Sequence, residues 1–201
     1  MFHIKSLVHI YIIHILFFVG ISYNSIAQNH SFVLPVDIPP ALSANFGELR
    51  PNHFHAGLDF KTQGVIGKNI LSVDTGYVSR VQIRPSGYGI ALYITHPNGL
   101  TSVYGHMESL SPRIDSVVKA YQYKNMVNVV DASFAPHELP VAQGEIVALS
   151  GNKGSSSGPH LHFEFRETST QTVINPFLFY PQITDNVRPR INSIGVYPID
   201  S

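Results

Sequence analysis

The sequence predicts a mainly β fold, and three observations carry that expectation. Glycine and proline recur at short intervals, 15 and 14 times in 201 residues. After the first 27 residues, no stretch of a dozen keeps a helical period. Several short segments instead alternate apolar and polar residues between turn-forming clusters. Tyr77 to Ile83 reads as one strand, and Ile90 to Thr95 as a second, across the loop Pro85-Ser86-Gly87-Tyr88-Gly89. Pro97-Asn98-Gly99 then predicts a tight turn, since Asn-Gly tolerates the positive φ of a type I′ turn. Leu100 to His106 returns as the third strand. Ile146 to Leu149 and His160 to Arg166 are two more, and Ser116 to Tyr123 is the one expected helix. Lys124 to Gln143 has mixed polarity and two prolines, and reads as an inserted loop bordering any site nearby.

The ends read differently. Lys5 is the only charged residue before Gln28, an apolar run from Ile10 to Ile21 follows it, and Ser25-Ile26-Ala27 offers small residues for cleavage. Residues 1–27 are therefore expected to be a signal peptide. The competing reading is an uncleaved membrane anchor, since Leu7 to Ile26 almost reaches spanning length. A lipoprotein is excluded, because the chain has no cysteine to acylate. An N-terminal segment, 28–41, would precede the main domain, 42–184. Asp185 to Arg190 reads as a linker, and Ile191 to Tyr197 as the beginning of a strand, so 185–201 is expected to start a further β-domain, in a fragment of a longer protein. Exposure of Ile191, Ile194 and Val196 would favour a missing neighbour; burial against the main domain would argue against one.

Without the leader, 12 basic residues face 13 acidic ones, a net charge of −1 with histidine neutral. There is no basic-aromatic patch, so nucleic acid is not an expected partner. With no cysteine there is neither a disulfide framework nor a thiolate ligand. An exported chain of this kind depends on its core or a bound metal for stability.

Two motifs stand out chemically: His55-Ala56-Gly57-Leu58-Asp59 and His160-Leu161-His162. His-x-His on a strand directs both imidazoles to one face. A catalytic zinc site takes three ligands of this type and leaves a fourth position for water. His55, Asp59 and His162 are the candidate ligands, and His160 beside them is a candidate acid or base. In a straight strand His55 and Asp59 would lie roughly 13 Å apart, so the chain must bend between them, and Gly57 is the residue expected to permit the bend. His53 is an alternative ligand. His106, closing Tyr104-Gly105-His106, could sit at the rim. His96 and His137 belong to no pattern. Gly154-Ser155-Ser156-Ser157-Gly158 fits the Gly-x-Ser-x-Gly pattern of serine hydrolases, but a strand-like segment follows it where that elbow needs a helix.

Taken together, these residues resemble the lysostaphin/LytM-type zinc endopeptidases. That family pairs His-x-Gly-x-Asp with a later His-x-His and places Tyr-x-His between them; all three occur here in order. Asn45-Phe46-Gly47 and Ser157 through Glu164 match the surrounding text, and Arg50 to Asp59 is most similar to members from Bacteroidetes-type bacteria. The resemblance covers about Leu42 to Tyr180. It implies an antiparallel β-sheet or sandwich with zinc on the floor of a groove. It also implies His55, Asp59 and His162 as zinc ligands, His160 and His106 as catalytic residues, and peptidoglycan peptides as substrate, in the periplasm or cell envelope. Some family members have lost ligands and only bind and regulate wall hydrolases; a non-catalytic binding module is therefore the alternative. This chain keeps every ligand, departing from the pattern at the 124–143 insertion and at Lys153 and Ser157.

Overall fold

The computed structural model describes residues 31–183 together with 194–195. The signal-peptide segment, the linker and most of the expected C-terminal strand lie outside them. Of Ile191, Ile194 and Val196 only Ile194 is described, and it is exposed. All described residues but Ser31 belong to one unit, Phe32–Ser201.

The expected β architecture is present, and it is antiparallel. The strands are β1 (Leu42–Ala44), β2 (Leu58–Lys61), β3 (Asn69–Leu71), β4 (Gly76–Ile83), β5 (Ile90–Thr95), β6 (Leu100–Gly105) and β7 (Met107–Leu110). After helix α1 (Pro112–Asn125) come β8 (Val130–Ser133), β9 (Pro140–Val141), β10 (Ile146–Ser150), β11 (His160–Glu167) and β12 (Val173–Ile174). The main sheet runs in the order β1-β2-β11-β6-β5-β4-β8, with β12 on β11 and β9 on β4; a smaller sheet runs β3-β10-β7.

Strand β11 shows how sequence positions the site. Leu161, Phe163 and Phe165 alternate into the core. There Phe163 meets Phe165 edge-on at 5.0 Å and Tyr104 at 5.4 Å, the geometry aromatic quadrupoles favour. The intervening His160, His162, Glu164 and Arg166 consequently share the opposite face. In register with β11, His162 stands opposite Asp59 of β2 and Gly105 of β6, and His160 opposite Lys61. Directly opposed residues point to the same side of an antiparallel pair, so two candidate ligands are placed by strand pairing alone.

Several expectations need correction. The third strand stops at Gly105, because His106 has φ +62° and turns the chain into β7. In the Asn-Gly turn only Gly99 takes positive φ, and Gly99 N–H donates to the His96 carbonyl; Pro97 presets the first corner of an ordinary turn, so the type I′ form is absent. The helix is longer than expected. It starts at Pro112, whose missing N–H costs nothing in the first turn, and ends at Met126 in left-handed geometry. The 124–143 segment is not a loop at the site: it ends α1 and supplies β8 and β9, which cover the β4 edge.

Gly57 is needed, though not for an unusual φ. A Cβ there would meet the Phe163 carbonyl oxygen at 2.1 Å, so only glycine lets the chain run this close to β11 as it enters β2. Gly57→Ala is expected to destabilise the fold by about 1–3 kcal/mol through overpacking, read as a lower urea midpoint at unchanged m-value. A midpoint equal to that of the wild type would refute this contact.

Candidate metal centre

Three of the expected residues meet at one point. His55 Nε2, Asp59 Oδ1 and His162 Nδ1 form a triangle with sides of 3.0, 3.0 and 2.9 Å. Ligands held tetrahedrally at zinc distances stand about 3.3 Å from one another. All three residues are buried or nearly so, and together they could hold a metal ion. His55 comes from the segment before β2, Asp59 from β2 and His162 from β11.

The hydrogen bonds behind them aim the lone pairs. His55 Nδ1 lies 2.8 Å from the Asn45 carbonyl. Since a carbonyl only accepts, that nitrogen carries the hydrogen and Nε2 keeps its lone pair for the centre. His162 Nε2 lies 2.7 Å from Glu164 Oε1, so its Nδ1 is turned inward by the same logic. A carboxylate behind a ligating imidazole is a common device for fixing its tautomer and raising its basicity. Glu164 is fully buried and also takes hydrogen bonds from Tyr88 Oη and from Arg166 Nε, the latter at 2.7 Å. The Tyr88 ring stacks on His162 at 5.0 Å. The donor set, its convergence and its backing all suit a small divalent cation.

The electrostatics agree. Burial opposes ionisation of Asp59, yet the neighbouring His162, and less so His55, hold it well below the usual carboxylate range. Burial likewise disfavours the charged His162, but Asp59 and Glu164 outweigh it and raise its pKa from 6.5 to about 9. Without metal, His162 therefore carries a proton at neutral pH, and a metal ion must displace it. Because its pKa is raised, the protonated His162 stabilises the metal-free fold fully below pH 6.5, and this contribution is lost as pH rises to about 9. The expected result is a metal affinity that rises with pH up to about 9, together with a widening gap between the melting temperatures of loaded and metal-free protein. Calorimetric titrations at pH 6.5, 7.5 and 8.5 measure it; a flat profile would contradict it.

His160 and His106 stand beside the triangle. His160 Nε2 is 3.7 Å from Asp59 Oδ1, while its Nδ1 donates to the Gly158 carbonyl at 2.8 Å. The two rings are 4.7 Å apart. His106 Nδ1 donates to the Lys153 carbonyl at 2.7 Å. Burial lowers the His106 pKa to about 4, so it is neutral near pH 7 and its Nε2 is an acceptor. His53 is exposed at the mouth, bonded to Asn52, and does not join the triangle. His96 is buried elsewhere, bonded to Ser102 and the Thr75 carbonyl.

A cleft of about 320 Å³ opens over this group, walled by Arg50 and Pro51 on one side and by Tyr88 and Ser155–Ser157 on the other. The second wall consists of two loops joined at glycines. Ser155 N–H donates to the Gly87 carbonyl, and a Cβ on Gly154 would lie 2.3 Å from that oxygen. Sequence reasoning gave no role to Glu164, Tyr88 or Arg50. Period two could have identified Glu164, two residues beyond His162. Nothing local marks the other two.

Residues 53–137 match the model of Peptidase family M23; this span contains His55, Asp59 and His106, with His160 and His162 beyond it. An uncharacterized metalloprotease of Haemophilus influenzae is 33% identical over 119 residues, 59% of this chain and 19% of that protein. The DD-carboxypeptidase/endopeptidase Mpg of Neisseria meningitidis is 28% identical over 112 residues, 56% of this chain and 20% of that protein. The matched region thus spans about a fifth of the length of these curated relatives. Among solved structures, a mutant catalytic domain of the prophage-encoded M23 protein EnpA from Enterococcus faecalis superimposes with TM-score 0.50 at 26% identity, covering 69% of this chain and 89% of that one. The catalytic domain of lysostaphin from Staphylococcus simulans shares the fold, with TM-score 0.53 at 20% identity, covering 71% and 92%.

Proposed function

Because the chain carries a peptidase family M23 domain of the lysostaphin/LytM type, we propose that it is a zinc metalloendopeptidase hydrolysing peptide bonds of peptidoglycan stems or cross-links. The observation that carries this reading is the inward-facing His55–Asp59–His162 triangle with His160 and His106 beside it. The metalloprotease and endopeptidase names of the relatives support it. The leader pattern of residues 1–27 supports export to the periplasm or cell envelope; no described helix is long and apolar enough to cross a membrane.

Zinc, when bound, lowers the pKa of its water towards neutrality and polarises the scissile carbonyl. His160 then takes the proton of the attacking water on Nε2 and returns it to the leaving amine. Its Nδ1 bond to Gly158 keeps Nε2 free for this task. His106 could in principle either donate to the developing oxyanion or orient the water. With Nδ1 committed to Lys153 and the ring neutral, its Nε2 can only accept, which favours holding the water. A binding module has no use for either histidine. Metal analysis of the purified chain tests the reading at its base: about one zinc per molecule is expected, and a chain that takes up none overturns it.

A further inference from the structure

A second cleft, of about 530 Å³, continues from the metal centre past His160. Its lining includes Ser43, Arg50, Lys61, Gln63 and Gly158, and its only acidic residue is Asp59, already turned to the centre. Two cations therefore face a cleft with no carboxylate of its own to spare. Lys61 is placed there by register. It opposes His160 across the β2–β11 pair and lies two residues beyond Asp59, on the same face as both. It is exposed and, among the described residues, forms no ion pair. Arg50 straddles both clefts. Its ion pairs to Asp59 and Glu48 are long, 3.6 Å each, so its N–H fork, which suits bidentate carboxylate recognition, is not saturated.

We propose that this cleft is the specificity subsite for a carboxylate on the substrate, received by Arg50 and Lys61 on the side of the scissile bond beyond Asp59. The inference rests on the reading of the chain as a wall peptidase and narrows it. Substrates with a free carboxyl group at that place are preferred over neutral or amidated ones.

The test uses two synthetic stem pentapeptides ending in D-Ala-D-Ala, alike except for a terminal carboxylate or carboxamide. Binding to the zinc-loaded chain is measured by calorimetry, and hydrolysis is followed alongside. The acid form is expected to bind at least tenfold tighter, with a preference that shrinks as salt rises. Lys61→Glu should abolish the preference, Arg50→Ala should reduce it, and Lys61→Arg should keep it. A carboxylate can also bind zinc directly, so a preference surviving both Lys61→Glu and Arg50→Ala belongs to the metal and overturns the proposal. Equal binding of the two forms overturns it too, as does no binding of either at millimolar peptide. Preference without hydrolysis would count against the peptidase reading and leave the subsite standing; equal binding and hydrolysis of both forms would do the reverse.

Discussion

Replacing His160 by alanine is expected to slow hydrolysis of wall peptides by about 10²- to 10⁴-fold, the usual worth of a positioned general base and acid, while zinc stays bound. His160 Nε2 stands 3.7 Å from Asp59 Oδ1, close enough to reach a water at the centre without belonging to the ligand triangle. The separation of effects is the informative part. A ligand would lose metal and activity together; a base loses activity alone. Metal content and the thermal midpoint of the variant show whether the site and fold persist. Wild-type rates in a zinc-loaded, folded His160→Ala protein would remove His160 from the mechanism.

The second large effect is expected at Asp59. Outer-shell partners of metal ligands are commonly worth 10- to 100-fold in metal affinity. Asp59 is the only anionic member of the triangle, so Asp59→Asn should weaken zinc binding by more than about 100-fold and take hydrolysis to background. It also removes the charge that, with Glu164, holds the proton on His162. The metal-free variant should therefore take up this proton less readily than the metal-free wild type, giving a lower His162 pKa by NMR titration. Retention of stoichiometric zinc by a folded Asp59→Asn chain would show that Asp59 is not a ligand.

The parts of this molecule that were legible in the sequence are those governed by local periodicity. Alternation placed β4, β5, β6, β10 and β11, and the same period of two put His160 and His162 on one face. The parts that were not legible depend on contacts between distant segments. Gly57 was read as a bend, but what requires glycine is the Phe163 carbonyl, 106 residues away in sequence. Tyr88 lies in a loop that acquires meaning only when its ring stacks on His162 and its hydroxyl bonds Glu164. The 124–143 segment looked like an insertion because β8 and β9 are four and two residues long. Strands that short carry almost no periodic signal and are stabilised by the β4 edge they pair with.

Peptide-bond hydrolysis at this centre is tested most directly by digesting purified peptidoglycan with the zinc-loaded chain and identifying the products by mass spectrometry. New peptide amino termini from the stems or cross-links are expected, absent with Asp59→Asn and strongly reduced with His160→Ala. Intact peptides after incubation with a chain carrying one zinc would contradict it, and would leave the domain as a binding module for the wall.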